Sequence, residues 1–197
     1  MTLVAQFQRV QARVGIPPRY RTACAEVLDP DLPRFIYGLS GRGKTHLMAA
    51  AANTLLTTHR LQRDWAWELE QWRLIQEDRE MPDYPLLFTS VTSLMLEIKS
   101  TFGRGTYPTE QDVLRKYAKV PYLFLDDFGV QLDTGWSLSI LDHLLNQRWN
   151  YEKHLCVTSN LAPDAFCAFY GGRLSSRVLG ICSTLLELTG RDWRTSK

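Results

Sequence analysis

The hydrophobic pattern of the chain predicts five short apolar strands separated by segments of helical periodicity. Apolar residues recur at helical spacing after the first strand, as Leu47, Ala51 and Leu55 do. A helix at 136–149 is predicted, and the residues near its apolar face are Leu138, Leu141, Leu145 and Trp149. The strands are expected at 34–37, 86–89, 122–125, 155–158 and 185–188.

Residues 38–45 read GLSGRGKT and lie between the first strand and a predicted helix at 46–52. The spacing G-x-x-x-x-G-K-[ST] in this context predicts a loop whose backbone N–H groups bind phosphate at a helix N-terminus. Lys44 is expected to reach the β- and γ-phosphates, and the Thr45 hydroxyl to bind Mg²⁺. The residues predicted to contact the nucleotide are Gly38, Ser40, Gly41, Arg42, Gly43, Lys44, Thr45 and His46.

Polar side chains follow two of the predicted strands. The third strand runs directly into Asp126 and Asp127, and the fourth is followed by Asn160. A buried carboxylate is unfavourable unless it is paired or bound to a cation. A Mg²⁺ ion beside a triphosphate would be such a cation. We therefore expect Asp126 to orient the metal and Asp127 to polarise the attacking water. Asn160 has two interpretations. It contacts the γ-phosphate or the attacking water, or it is a simple turn residue.

Two further segments leave alternatives open. After a predicted helix at 1–14, residues 15–32 either wrap over the nucleotide site or form a surface linker. Residues 58–84 carry Trp65 and Trp72 on one helical face. That face packs either on its own domain or against a partner protein.

Basic and aromatic residues alternate between the second and third strands. Such a mixture neutralises phosphates and stacks bases, although Glu110 and Asp112 dilute it and a solvated surface is the alternative. The candidate DNA contacts are Lys99, Phe102, Arg104, Arg115 and Lys116.

Arg173 and Arg177 are spaced to share one face of a late helix. They are either ordinary surface charges or groups that reach a phosphate across a subunit boundary, as an arginine finger does.

Composition narrows the class of protein without identifying it. The chain has 197 residues, 45% hydrophobic and 22% charged, with a net charge of +2. These values are ordinary for one globular domain and do not indicate nucleic-acid binding on charge alone. No membrane span or signal peptide is predicted, and the four scattered cysteines favour a reducing, cytoplasmic setting.

Six short motifs in this order resemble the AAA+ ATPases. More narrowly, the chain resembles the DnaC/IstB-like branch, which comprises replicative helicase loaders and transposition ATPases. The stretches are GIPPRY from Gly15, GLSGRGKT, YLFLDDFG from Tyr122, VTSNL from Val157, GGRLSSR from Gly171 and TGRDWR from Thr189.

The resemblance implies an α/β P-loop core of AAA+ type, with a five-stranded parallel sheet sandwiched by helices. It implies a lead-in at 1–32 and an ATPase domain at 33–197 with a helical insertion at about 58–84. The expected absence of a C-terminal helical lid departs from the family pattern. Lys44 and Thr45 resemble the Walker A pair, Asp126 and Asp127 the Walker B pair, and Asn160 the sensor-1 residue. Arg177 resembles the arginine finger with Arg173 beside it. Either Arg191 or Arg194 is a candidate substitute for a lid-borne arginine.

The same resemblance implies an ATP- and Mg²⁺-dependent ATPase that self-associates into an open ring or filament. The leading hypothesis is a loader that acts on single-stranded DNA with a replicative helicase. The alternatives are a transposition ATPase that binds duplex DNA with a transposase, and a nucleotide-switched binding module with little turnover. A small-molecule kinase would not account for Asn160 together with the two arginines.

Overall fold

A five-stranded parallel sheet lies at the centre of the structure, a computed structural model that describes residues 3–25, 29, 34–57, 86–103, 108–129 and 135–193. The strand order is β2-β3-β4-β1-β5, and the predicted parallel sheet is confirmed. The strands are β1 (Arg34–Tyr37), β2 (Leu86–Ser90), β3 (Tyr122–Asp126), β4 (His154–Ser159) and β5 (Thr184–Glu187).

Helices cover both faces of the sheet. Successive side chains of a strand point to opposite faces of the sheet and pack in two different hydrophobic cores. In β1, for example, Phe35 packs in the first core and Ile36 in the second. The N-terminal segment and the helix after the phosphate loop line the second core. The helices are α1 (Leu3–Arg13), α2 (Lys44–Thr57), α3 (Val91–Lys99), α4 (Glu110–Lys119), α5 (Gly135–Asn150), α6 (Pro163–Tyr170) and α7 (Gly172–Ile181).

The register brings the carboxyl ends of the inner strands to one edge of the sheet. Tyr37, the last residue of β1, pairs with Ser159, the last residue of β4. Leu125 of β3 pairs with Val157 of β4. The polar residues that follow β1, β3 and β4 are therefore neighbours, which is where open parallel sheets bind ligands.

Helix α5 is confirmed, and its predicted apolar face is confirmed in part. Leu141 and Leu145 are buried as expected, whereas Leu138 and Trp149 are exposed and were wrong. The buried side also includes Leu144 and Arg148. Apolar periodicity does not indicate a fully buried arginine, so the sequence pattern places Trp149 rather than Arg148 on the buried side.

Arg148 ties α4 to the two central strands. Its guanidinium donates hydrogen bonds to the Tyr117, Val120 and Pro121 carbonyls at 2.7, 2.9 and 3.2 Å. It also donates to the carbonyl of His154 at the start of β4. Burial lowers the pKa of Arg148 to about 9. The side chain thus satisfies carbonyls at the C-terminal end of α4 and attracts that end's partial negative charge.

We expect Arg148→Met to lower the free energy of unfolding by about 3 kcal/mol, because several buried carbonyls lose their donors. Urea unfolding of the purified chain measures the change. Arg115→Met, which removes an exposed guanidinium, is the matched control and should change stability by less than about 0.5 kcal/mol. An Arg148→Met protein as stable as the control would contradict this structural role.

Several predicted features lie outside the described residues. They are the tryptophan-bearing segment 58–84, Arg104 and Arg194. In the part of the chain that the structure describes, no helix combines the length and apolar composition needed to cross a bilayer.

Candidate functional site

The phosphate loop joins β1 to α2, which confirms the strand, loop and helix context expected for it. Gly38 and Gly41 have φ angles of 142° and 77°. A Cβ on Gly38 would lie 2.4 Å from the Leu188 carbonyl oxygen, and one on Gly41 would lie 2.0 Å from the Asp192 carboxylate. The positive φ angles favour glycine at both positions, and the backbone of Leu188 leaves no space for a side chain at Gly38.

The Lys44 ammonium lies buried inside the loop. Its Nζ donates hydrogen bonds to the Gly38 and Leu39 carbonyls at 2.8 and 2.9 Å. A third bond of 2.7 Å reaches Oδ1 of Asn160, 116 residues further along the chain. The carboxyl end of β4 and the phosphate loop are thus joined through one cation, which is the type of group that binds phosphate.

Asp126 ends β3 beside the start of α2. Its Oδ1 accepts a 3.1 Å hydrogen bond from the Thr45 hydroxyl and a 2.5 Å bond from the Thr158 hydroxyl. Burial raises the pKa of Asp126, and the charge of neighbouring Asp127 raises it further. A divalent cation at this position would favour the charged carboxylate and offset that cost.

These residues fit a Mg²⁺ ion that is shared with phosphates. Among the described residues, no group of three or more His, Cys, Asp or Glu side chains is arranged to hold a metal. Mg²⁺ in nucleotide sites is usually held by one or two carboxylates together with substrate phosphates and water. Thr45 and Asp126 supply a hydroxyl and a carboxylate for such an ion.

Asp127 turns away from the strand into the solvent-exposed cleft. Its φ angle is 55°, a left-handed conformation that costs non-glycine residues on the order of 1 kcal/mol. The Asp127 backbone N–H donates a 2.9 Å hydrogen bond to the Thr158 hydroxyl, and Phe128 N–H donates a 2.8 Å bond to the Thr158 carbonyl. Thr158 therefore orients both acidic residues, a role that sequence reasoning missed because a buried strand threonine carries no distinguishing pattern.

A cavity of about 500 Å³ brings most of the predicted residues together. It lies over the phosphate loop and reaches Asp127 and Asn160. Of the predicted set, the residues lining it are Ser40, Gly41, Arg42, Gly43, Lys44, Thr45, His46, Asp127 and Asn160. The residues lining it that were not predicted individually are Arg19, Tyr20, Leu47, Leu188 and Trp193.

The segment before β1 covers the cavity rather than forming a detached linker, as far as it is described. A 3-10 turn at Pro18–Tyr20 brings Arg19 and Tyr20 to the cavity wall. Asn53 of α2 holds this turn, because its Nδ2 donates a 3.1 Å hydrogen bond to the Tyr20 carbonyl. Gln11 in turn donates a 2.8 Å bond to the buried Asn53 Oδ1.

The two predicted arginines lie on α7, and neither lines this cavity. Both pair with Asp142 of α5. Arg177 Nη1 is 2.5 Å from Asp142 Oδ1, and Arg173 Nε is 3.4 Å from Oδ2. The Arg177 side chain is 19% exposed and that of Arg173 is 75% exposed, so Asp142 fixes the direction of Arg177 more firmly.

Two of the candidate DNA contacts meet at Trp136, which sequence reasoning did not single out. The Phe102 ring packs edge-to-face on Trp136 with centroids 5.3 Å apart, and Lys99 Nζ is 5.7 Å from the Trp136 ring centroid. Phe102 is exposed. Trp136 is partly buried against the core, so the exposed ring of the pair is that of Phe102. A cation beside an exposed aromatic ring is the chemistry that binds a backbone phosphate and a stacked base.

The other described candidates lie on α4 and are engaged in ion pairs, one with α3 and one within α4. Lys116 Nζ is 2.7 Å from Glu97 Oε1, and Arg115 Nη1 is 3.7 Å from Asp112 Oδ1. These pairs reduce the local positive charge available to a phosphate. The Lys99, Phe102 and Trp136 cluster is therefore the stronger part of the predicted surface.

Comparison with known proteins gives a consistent set of relatives. No protein-family model matches the chain. The replicative helicase loader DnaC of Buchnera aphidicola (subsp. Acyrthosiphon pisum) is 23% identical over 155 residues, covering 78% of this chain and 53% of the relative. DnaC of Escherichia coli K12 is 23% identical over 195 residues, covering 88% of this chain and 69% of the relative. The chain thus spans about half the length of the first of these relatives.

Solved structures share the fold. The crystal structure of the DnaC helicase loader matches with a TM-score of 0.53 and 18% identity, over 92% of this chain and 89% of that one. The replication initiator DnaA bound to AMPPCP and single-stranded DNA matches with a TM-score of 0.59 and 23% identity, over 90% of this chain and 52% of that one. The α/β AAA+ fold and the resemblance to DnaC-like AAA+ ATPases are confirmed.

Proposed function

We propose, from its resemblance to DnaC-like AAA+ ATPases, that this chain binds and hydrolyses ATP with Mg²⁺ in a self-associating complex that helps to place a replicative helicase on single-stranded DNA. The observation that carries the proposal is the convergence of Lys44, Thr45, Asp126, Asp127 and Asn160 around one phosphate loop. The group combines a cationic side chain for phosphate, two residues for a metal ion and a carboxylate to orient the attacking water. Those are the parts that phosphoryl transfer requires.

Each residue receives a role from its position. Lys44 leaves its three oxygen partners to bind the β- and γ-phosphates. Thr45 and Asp126 hold Mg²⁺, whose charge stabilises the negative charge on the phosphates. Asp127 and Asn160 face the same cavity and orient the attacking water. Arg177, which does not line its own cavity, contacts the nucleotide of a neighbouring subunit.

The DnaC relatives support the helicase partner, and the DnaA structure supports the nucleotide and the single strand. For DNA we assign contact to the cluster of Lys99, Phe102 and Trp136. Its exposed aromatic ring suits an unpaired base, whose face is accessible in a single strand but not in a duplex.

A transposition ATPase is the second candidate within the same fold. Binding of labelled single-stranded and duplex oligonucleotides, followed by fluorescence anisotropy with a slowly hydrolysed ATP analogue, separates the two. A preference for the single strand supports the loader. Equal or tighter binding to the duplex would instead support the transposition ATPase.

We expect Phe102→Ala to weaken single-stranded DNA binding by roughly 10-fold, because the variant loses one stacked base. The anisotropy titration described above measures the change. Phe169→Ala, which removes another exposed phenylalanine on α6, is the matched control and should leave the affinity unchanged. Equal affinities for both variants would refute DNA contact through this cluster.

A further inference from the structure

The cavity over the phosphate loop has a second wall that phosphate binding does not explain. Two aromatic side chains from opposite ends of the described chain, Tyr20 and Trp193, border it together with Leu188. Phosphate groups are recognised by N–H groups and cations, whereas aromatic and aliphatic walls suit a flat apolar ligand. This part of the cavity therefore calls for a separate explanation.

Trp193 is anchored to the phosphate loop itself. Its backbone N–H donates a 3.0 Å hydrogen bond to the carbonyl of Gly41. A Cβ on Gly43 would lie 3.9 Å from Trp193 Cδ1, which is van der Waals contact. The Arg191 guanidinium lies 4.3 Å from the Trp193 ring centroid, a cation–π distance that restrains the ring.

The chain reaches this position directly from the sheet. The Leu188 N–H donates a 2.7 Å hydrogen bond to the Tyr37 carbonyl, which continues the pairing of β5 with β1 beyond the strand. The Asp192 side chain then packs against the bare Cα of Gly41. The Asp192 carboxylate occupies the space that a Cβ on Gly41 would fill, and the Trp193 N–H bonds the carbonyl of the same glycine, so the segment lies directly on the phosphate loop.

Tyr20 is fixed from the other side by a buried amide network. Asn53 Nδ2 donates to the Tyr20 and Ala23 carbonyls at 3.1 and 2.9 Å, and Gln11 Nε2 donates to Asn53 Oδ1. Gln11 and Asn53 are 1% and 7% exposed. Buried amides with all these partners hold the turn at Pro18–Tyr20 rigidly, because moving it would leave polar groups unsatisfied.

We propose that Trp193, with Tyr20 on the same cavity, forms the subsite for the purine base of a nucleoside triphosphate. The inference rests on the proposed binding of ATP at the phosphate loop, and it names the residues that hold the other end of the ligand. Trp193 is 61% exposed without a ligand, so its indole has free surface for a base to cover. Aromatic faces bind bases by stacking and contribute affinity independently of the phosphates.

The test compares ATP with inorganic tripolyphosphate, which has the phosphates but no base. Both affinities are measured by isothermal titration calorimetry in the presence of Mg²⁺. Trp193→Ala should bind ATP roughly 10-fold more weakly than the parent protein does. Its affinity for tripolyphosphate should equal that of the parent. Trp193→Phe should recover most of the lost ATP affinity. Trp149→Ala, which removes another exposed tryptophan, is the matched control and should bind both ligands normally.

A spectroscopic readout accompanies the titration. ATP should quench part of the tryptophan emission of the parent protein, and this part should be missing in Trp193→Phe. Trp193→Ala that binds ATP as the parent does would overturn the base subsite while leaving the proposed function intact. An equal loss for ATP and tripolyphosphate would also overturn it, because Trp193 would then support only the loop. A parent protein that does not bind ATP would overturn both proposals.

Discussion

Replacing Lys44 by alanine should weaken ATP binding by ~100-fold, which corresponds to about 3 kcal/mol. The Lys44 ammonium is buried inside the loop, and it exchanges its three oxygen acceptors for phosphate oxygens when the ligand binds. A charge-assisted hydrogen bond in a buried site is among the strongest single contacts that a ligand loses by mutation. Isothermal titration of the variant with ATP and Mg²⁺ measures the effect.

Lys99→Ala serves as the control, because it removes a lysine that is exposed and does not line the cavity. It should bind ATP like the parent. Thermal unfolding of the two variants checks that neither has lost its fold. ATP affinity in Lys44→Ala within about 3-fold of the parent value would refute the assignment of the phosphate loop, since that difference is below about 0.7 kcal/mol.

Arg177→Ala should leave ATP binding intact and lower assembly-stimulated hydrolysis by at least ~1,000-fold, because an arginine supplied in trans stabilises the charge that develops in the transition state. Arg177 lies on α7 and does not line its own cavity. Asp142 holds its guanidinium in one direction, which reduces the side-chain entropy lost when the arginine contacts a neighbour's nucleotide. Steady-state ATPase assays at high protein concentration measure the loss.

Mixing two inactive variants separates action in trans from a local defect. In a mixture of Arg177→Ala with Asp127→Asn, some interfaces combine the intact Asp127 of one subunit with the intact Arg177 of the other. These interfaces should restore part of the hydrolysis rate. Arg173→Ala is the matched control. Arg173 is more exposed than Arg177 and lies farther from Asp142, so its loss should lower the hydrolysis rate less. A mixture that stays inactive would remove the main support for contact in trans.

The phosphate loop and the polar ends of the inner strands were predictable because local spacing and strand periodicity encode them. Lys44, Thr45 and Asp126 follow from a spaced motif and from an apolar strand that runs into carboxylates. The hydrogen bonds of Lys44 to Asn160 and of Thr45 to Asp126 join residues far apart in sequence, and they follow once the strands are parallel and in register. For these residues, motif and topology agree.

The remaining features depend on tertiary packing that no local pattern records. Thr158 orients both aspartates from inside a buried strand, where a threonine has the same periodicity as valine. Asp142 faces the two arginines only because α5 and α7 pack together. Trp193 reaches the phosphate loop only because β5 lies beside β1. These contacts are set by the order of strands in the sheet and by the packing of helices against each other, which sequence spacing alone does not specify.

The most direct test of ATP hydrolysis by a self-associating, DNA-dependent complex is the ATPase rate per subunit, measured against protein concentration with no DNA, single-stranded DNA or duplex DNA. The rate should rise with protein concentration and rise further with single-stranded DNA, because each active site is completed by a neighbour's arginine. A rate that stays flat and negligible at every concentration, in a protein that binds ATP tightly, would contradict this account. That result would instead indicate a nucleotide-switched binding module.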